Sequence, residues 1–201
     1  MMPPHFNPLP RLGERAGRGQ IFVLGHEMTV SFSQGASPLS GHERLWRKAA
    51  AMEMTLRPIG TICTPYSDKA PYQPDREAEG PFFIELDADL KDGLFKLDSF
   101  RYIYVLFYCH QQDQPFQTLV TPPWAKGERV GLFASRSPRR PNPIGLSIVR
   151  IKRIEDNRIY ISGIDALDGT PLLDIKPYSM SLDAKNDANN GWIGNRTKTQ
   201  D

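Results

Sequence analysis

The stretch Leu146–Ile164, LSIVRIKRIEDNRIYISGI, consists of two apolar runs separated by three polar residues. In the first run, apolar Val149 and Ile151 alternate with basic residues, which is the period of a strand with one buried face. The second run follows Glu155-Asp156-Asn157, and these residue types favour a tight turn. The stretch therefore predicts a β-hairpin.

Further short apolar runs lie on both sides of this hairpin, and turn residues separate them. They are LRPIGTICT, GPFFIEL, RYIYVLFYCH, RVGLFAS and PLLDIKP. Several short antiparallel strands within about 120 residues predict a mainly β domain, a barrel or a sandwich, over residues 54–180. One short helical segment is expected in DADLKDGLFKLDSF, where Leu90, Leu94 and Leu97 recur at helical spacing.

The two ends of the chain differ from this region. Residues 1–53 are rich in Pro, Arg and Gly, and they show no period that would bury a face, so we expect a disordered leader. Ser40 and Glu43 have the spacing of a capping box, which predicts a short helix at 41–53. Residues 181–201 are expected to form a C-terminal tail.

Composition excludes some classes of protein. The 201 residues include 25 basic and 23 acidic side chains, so no global field indicates nucleic-acid binding. Cys63 and Cys109 lie far apart, which predicts free thiols in a reducing cytoplasm and no metal site. The longest apolar windows are too short to cross a bilayer, so we expect no membrane segment.

The stretch Ser135–Ser147, SRSPRRPNPIGLS, combines rigidity with positive charge. Its three prolines fix the backbone and remove donors, which we expect to leave carbonyl oxygens facing a ligand. Arg136, Arg139 and Arg140 offer forked donors for a carboxylate or a phosphate. The alternative interpretation is a stiff surface turn with solvated arginines.

Two more stretches carry candidate groups. Asp168-Gly169-Thr170-Pro171 is a strong turn signal, and Asp174, Lys176 and Tyr178 then share one strand face. His110 and Gln111 end an apolar strand. A plain turn, an exposed face and a structural histidine are the alternatives. The sequence contains no P-loop, no G-x-G-x-x-G after a strand and no G-x-S-x-G.

Taken in order, PIGTICTPY, APYQ, FYCHQ, ASRSPRRPNPIGLS and LDGTPLLDIKPY resemble the TrmO family, also called the TsaA-like or YaeB-like domain, of S-adenosylmethionine-dependent tRNA methyltransferases. The resemblance runs from about Arg57 to Tyr178. It implies a small, closed or nearly closed antiparallel β-barrel that forms a homodimer, binds S-adenosylmethionine near the dimer interface and acts in the cytoplasm. It also implies methylation of N6 of threonylcarbamoyl-adenosine in the tRNA anticodon loop.

The resemblance further implies roles for individual residues. The cofactor contacts would be Pro71, Tyr72, Gln73, His110, Gln111, Arg136, Leu146, Asp168, Gly169, Thr170 and Pro171. The carbamoyl-bearing N6 is a poor nucleophile, and His110, Asp168 and Asp174 are the candidates for a catalytic base that removes its proton. The residues expected to contact RNA are Arg139, Arg140, Asn142, Lys176 and Tyr178.

Two departures from the family pattern keep other functions open. Tyr72 stands where many relatives carry arginine, and the C-terminal domain of many bacterial relatives does not follow Tyr178. The alternatives are a barrel that binds S-adenosylmethionine or RNA without turnover, and a methyltransferase with another acceptor.

Overall fold

The structure is a computed structural model that describes residues 20–24, 27–31, 54–71 and 80–194. The described strands are β1 Gln20–Leu24, β2 Glu27–Ser31, β3 Met54–Leu56, β4 Gly60–Cys63, β5 Phe83–Leu86, β6 Tyr102–Tyr108, β7 Leu119–Val120, β8 Val130–Gly131, β9 Ile144–Glu155, β10 Arg158–Ile161 and β11 Thr170–Pro177. One α-helix, α1, spans Met180–Asp183, and 3₁₀ helices span Ala88–Leu94, Leu97–Ser99, Pro123–Ala125, Leu132–Ala134 and Gly191–Ile193.

The chain divides into two compact units, residues 1–57 and 58–201. In the first unit, β1, β2 and β3 pair in that order as a three-stranded antiparallel sheet. Strands β1 and β2 lie inside the leader for which composition predicted no regular structure, and here the described residues differ from that expectation, because two short runs with strand propensity pair with each other. The predicted helix at 41–53 lies outside the described residues.

The second unit contains a closed antiparallel barrel, which confirms the predicted fold class. Its strands follow the order β10-β5-β4-β11-β6-β9, and pairing of β9 with β10 closes the ring. The predicted hairpin is formed by β9 and β10, and Asp156 at its turn has a φ of 56°. The longest ladder joins β6 to β9, from Tyr102 opposite Arg150 to Tyr108 opposite Ile144.

Every second residue along the strands points into the barrel, and these side chains fill its interior. In β6, YIYVLFY, the residues Ile103, Val105 and Phe107 are buried, and the tyrosines between them are half-buried. The core consists of Ile62, Phe82, Ile84, Leu86, Ile103, Val105, Phe107, Val149, Ile159, Ile161, Ile164, Ala166 and Leu172. Gly145 belongs to this packing, because a Cβ there would lie 2.2 Å from the Phe107 ring.

The predicted helical segment forms as two 3₁₀ helices rather than one α-helical turn. Lys96 takes a left-handed φ of 67° between them and interrupts the helix. Leu94 and Leu97 pack against the core, whereas Leu90 is exposed. The connection from β5 to β6 spans residues 87–101, and it lies at the end of the barrel where β5 finishes and β6 begins.

Candidate functional site

Most of the predicted site residues meet at one end of the barrel, which we call the site end. Neighbouring strands are antiparallel, so the ends of β4, β6 and β10 lie beside the starts of β5, β9 and β11. The loops at this end and the adjoining strand ends carry Pro71, His110, Gln111, Arg136, Arg139, Arg140, Asn142, Leu146, Asp168, Gly169, Thr170 and Pro171. The predicted Tyr72 and Gln73 lie outside the described residues.

Asp168 joins two of these loops. Its Oδ1 accepts a hydrogen bond from the backbone N–H of Thr64 at 3.0 Å, and its own N–H donates to the carbonyl of Tyr66 at 2.7 Å. The buried Thr64 hydroxyl donates to the carbonyl of Ala166 at 3.0 Å. The sequence analysis missed Thr64, because a threonine after a short strand carries no signal of this role. One carboxylate oxygen of Asp168 is thus structural, and no hydrogen bond within the described residues engages the other.

His110 and Thr170 are 60 residues apart in sequence and meet at the site end. The Thr170 hydroxyl donates to the carbonyl of Leu167 at 2.7 Å, and its oxygen lies 3.5 Å from Nδ1 of His110. Because the hydroxyl proton is already committed to Leu167, the oxygen faces the imidazole as an acceptor. This contact is long for a hydrogen bond, and it favours the tautomer with the proton on Nδ1. Nε2 then keeps its lone pair.

Partial burial lowers the pKa of His110 below its ordinary value, since the charged imidazolium loses solvation. The neutral imidazole therefore predominates at pH 7. A neutral imidazole with a bare Nε2 can accept a proton from a bound molecule.

The carbonyl groups of the proline- and arginine-rich loop are used differently from the prediction. The carbonyl of Pro138 accepts from the N–H of Arg140 at 2.8 Å, and that of Pro143 accepts from the N–H of Cys109 at 2.8 Å. The guanidinium of Arg140 donates to the carbonyls of Ser135 and Leu132, at 2.9 and 3.4 Å. These carbonyls hold the loop together instead of facing a ligand, because the loop folds back on itself. Arg140 is likewise a structural residue here.

Arg136 and Arg139 contrast with Arg140. Both residues are exposed, and within the described part of the chain no ion pair or side-chain hydrogen bond engages either guanidinium. The loop backbone beside them is anchored by Trp192, whose indole N–H donates to the carbonyl of Ala134 at 2.7 Å. The site end therefore presents two available cations on a fixed backbone.

The two cysteines do not supply a nucleophile at neutral pH. Burial, with a smaller contribution from Asp165, raises the pKa of Cys109 to about 11, and burial also raises that of Cys63. Both thiols are free, as predicted, and both stay protonated.

Three predicted residues lie away from the site end. Asp174 and Lys176 form an ion pair at 2.7 Å on β11, and Tyr178 packs edge-on against Tyr102. Six residues of strand, or about 20 Å, separate Thr170 from Lys176. The structure therefore brings His110 and Asp168 together with the predicted cofactor residues but not Asp174, Lys176 and Tyr178.

The outer face of β9 is apolar beside the site end. Ile144, Leu146 and Ile148 alternate with inward-facing residues and are 40%, 49% and 50% exposed. They stand opposite Tyr108, Leu106 and Tyr104 of β6. Leu146 is thus both a predicted cofactor contact and the centre of a contiguous exposed apolar face.

The fold and this site define a class of protein: a small antiparallel barrel with a histidine, an aspartate and free arginines gathered on long loops at one end. Residues 61–184 match the family described as tRNA-methyltransferase O N-terminal domain, and the chain belongs to this family.

Similar proteins agree with this assignment. A protein of Archaeoglobus fulgidus named S-adenosyl-L-methionine-binding protein is 40% identical over 66% of this chain and 95% of its own length. The mouse protein named tRNA (adenine(37)-N6)-methyltransferase is 33% identical over 67% of this chain. This chain spans 74% of a Pyrococcus abyssi relative, 38% of a second Archaeoglobus protein and 33% of the mouse protein.

Solved structures support the fold as well. A crystal structure titled TrmO superposes with a TM-score of 0.59 at 38% identity, covering 70% of this chain and 64% of the other. A second, of TrmO from Pseudomonas aeruginosa, has a TM-score of 0.59 at 36% identity. Among the residues described by our structure, no helix has the length and apolarity needed to cross a membrane, and no cluster of three potential metal ligands occurs.

Proposed function

We propose that this protein is an S-adenosylmethionine-dependent methyltransferase that methylates N6 of an adenosine in the tRNA anticodon loop, with threonylcarbamoyl-adenosine as the acceptor. Membership of the family and the names of its relatives support the reaction class. The observation that carries the proposal is the contact between His110 and Thr170. This contact lies at the site end, where most of the predicted cofactor residues are found.

The side chains at the site end fit S-adenosylmethionine. The ligand carries a carboxylate, an ammonium and an apolar adenine. The guanidinium of Arg136 suits the carboxylate, and the unengaged carboxylate oxygen of Asp168 suits the ammonium or a ribose hydroxyl. Exposed Leu146 offers an apolar surface to the adenine. When bound, S-adenosylmethionine supplies an electrophilic methyl group on its sulfonium.

His110 is the base that we assign among the three candidates. Its neutral imidazole and bare Nε2 are suited to take the proton that N6 loses. Asp168 accepts the Thr64 N–H with one carboxylate oxygen and offers the other to the cofactor in this proposal, and Asp174 is paired with Lys176. Arg139, which is exposed and unengaged, is placed to bind the threonyl carboxylate or a neighbouring phosphate.

We also propose a homodimer through the apolar outer face of β9. Three alternating exposed aliphatic side chains form a surface that a second copy would cover, and Leu146 would bring the cofactor site to that interface. Replacement of Ile148 by Glu is expected to yield a monomer in light scattering. A dimer of unchanged mass would contradict this interface. The free thiols suit the reducing cytoplasm, where we place the enzyme.

Nucleoside mass spectrometry tests the proposed reaction. Bulk tRNA from a strain that lacks this methylation is incubated with the protein and labelled S-adenosylmethionine, with His110→Ala as the matched control. A labelled methyl group on threonylcarbamoyl-adenosine with the unaltered protein only is the expected result. Cofactor binding without any transfer would indicate a binding module, and label on another nucleoside would indicate another acceptor.

A further inference from the structure

Phe133 is an aromatic side chain that the proposed reaction leaves unexplained. It lies in the 3₁₀ helix Leu132–Ala134 and is 82% exposed. An apolar ring held this far into solvent brings no core stability, since it buries little surface. Its neighbour Leu132 is buried, which anchors the segment.

The backbone around Phe133 is fixed on several sides. The N–H of Leu132 donates to the carbonyl of Thr118 at 2.9 Å, and the Ser135 hydroxyl donates back to the carbonyl of Leu132 at 2.8 Å. Trp192 holds the carbonyl of Ala134. The exposed ring is therefore presented on a rigid frame, which lowers the entropic cost of stacking a ligand on it.

The charge around Phe133 is uniformly positive along the chain. Residues 129–142 contain four arginines and no acidic residue. The guanidinium of Arg140 lies 5.5 Å from the centre of the Phe133 ring and is held by two carbonyls. Arg136 and Arg139 stay available on the same loop. An aromatic face beside unpaired cations is the arrangement that proteins use for single-stranded nucleic acid.

We propose that Phe133 stacks on an unpaired base of the RNA substrate while Arg139 binds an adjacent phosphate. This inference rests on the proposed function and deepens it: the loop holds the nucleotides that flank the target adenosine. Arg140 is a positioning residue, because it fixes the loop and lies beside the ring instead of reaching for phosphate.

The chain offers a matched control in Phe95. This ring is 81% exposed, and the amine of Lys96 lies 5.4 Å from its centre, but it belongs to the opposite end of the barrel. Residues 87–98 around it contain four aspartates, so a phosphate backbone would be repelled there.

The experiment measures binding of a synthetic anticodon stem–loop RNA to the full chain by fluorescence anisotropy at several salt concentrations. Phe133→Leu is expected to weaken binding about tenfold, and Phe133→Trp to keep the affinity within about twofold, because stacking needs an aromatic face. Arg139→Ala should lower the slope of log affinity against log salt by about one, whereas Phe133→Leu should leave that slope unchanged. Phe95→Leu should change neither.

Each outcome decides the inference. Wild-type affinity in Phe133→Leu, or equal losses in Phe133→Leu and Phe95→Leu, would overturn it. A change of oligomeric mass in Phe133→Leu would assign the ring to a subunit contact and would also overturn it. If the unaltered protein does not bind the stem–loop RNA, the inference is overturned, and so is the proposal that RNA is the partner of this loop. Binding that depends on Phe133 without methyl transfer would contradict the proposed function alone.

Discussion

The two ends of the barrel each present an exposed phenylalanine beside a cation, yet their surroundings are opposite. At the site end, Phe133 lies in the segment 129–142, which contains four arginines and no acidic residue. At the other end, Phe95 lies among aspartates, and Lys91 is paired with Asp156 of the hairpin turn. An exposed phenylalanine with a neighbouring cation therefore belongs to a positively charged segment at the site end. At the opposite end, aspartates offset the charge of the neighbouring cation.

The connections differ as well. The site end carries the long loop 109–143 between β6 and β9, whereas the opposite end has the two-residue turn of the β9–β10 hairpin and the 3₁₀ connection 87–101. Long loops on a rigid barrel can vary and carry chemistry, while tight turns fix strand register. We therefore expect substitutions at the site end to change activity and those at the opposite end to change stability.

The largest expected effect is that of His110→Ala at the site end. Loss of a general base should lower kcat by about 10²- to 10⁴-fold. The melting temperature should change little, since His110 is exposed at the end of its strand. The Kd for S-adenosylmethionine should change much less than kcat, since His110 is one of eleven expected cofactor contacts. Single-turnover methyl transfer, calorimetry and thermal unfolding would measure these three quantities. A kcat within a factor of a few would remove His110 from the role of base.

The pH profile sharpens this prediction. The pKa of His110 is lowered by burial, and its neutral form is the active base. The rate should therefore decline with falling pH at an inflection that lies below the ordinary imidazole pKa of about 6.5. His110→Ala should abolish this inflection. An inflection above pH 7 in the unaltered enzyme would contradict the assignment.

The second effect tests the opposite end. In Gly60→Ala, the new Cβ would lie 2.3 Å from the carbonyl oxygen of Glu85 and 2.8 Å from the Cα of Leu86, both in the backbone of β5. Forcing these strands apart should lower the free energy of unfolding by about 3 kcal/mol, measured by urea denaturation. Gly93→Ala, where no atom lies within 4 Å of the new Cβ, is the control. Equal free energies of unfolding for the two variants would show that β4 and β5 move apart without a measurable cost.

Arg136→Ala should have an intermediate effect, confined to the cofactor. Loss of a charge-assisted hydrogen bond should weaken binding of S-adenosylmethionine by about 1.5–3 kcal/mol in calorimetry, with an unchanged melting temperature. Lys152→Ala, an exposed cation on β9, is the control and should bind normally. Normal affinity in Arg136→Ala would place this residue outside the cofactor site.

Gly169→Val should have the smallest of these four effects, and we expect it to lower both stability and cofactor affinity. Gly169 has a φ of 72°, a left-handed conformation, but no atom lies within 4 Å of a Cβ placed there. Because nothing crowds the new Cβ, we expect left-handed backbone strain to be the main cost, and the free energy of unfolding should fall by about 1–2 kcal/mol. The turn would shift beside Asp168 and Thr170, and cofactor affinity should fall with it. A fully stable variant would show that the turn relaxes without strain.

The barrel was predictable because apolar and polar residues alternate along its strands, and this alternation is visible in the local sequence. Val149 and Ile151 point to the core in the sequence pattern as they do in the structure. The leader strands β1 and β2 were not predicted, because their short runs lie among proline, arginine and glycine. The candidate cofactor residues came from a resemblance of motifs, and the topology then brought most of them to one end.

The structure separates some residues that the sequence analysis grouped together, because a linear pattern does not contain hydrogen-bond partners or the distance of a residue from the site end. The sequence grouped Arg140 with Arg139, and only the folded loop commits Arg140 to the carbonyls of Ser135 and Leu132. It likewise grouped Asp174 with His110, although β11 carries Asp174 away from the site end.

The sequence by itself determined which segments form the six barrel strands, where the hairpin turns and that one loop is rich in proline and arginine, because these properties depend on residue type and on spacing along the chain. Only the tertiary structure decided which loops share an end of the barrel and which donors are already engaged. Strand pairing order and hydrogen bonds between distant residues, such as Thr64 with Asp168 and His110 with Thr170, exist only once the ring has closed.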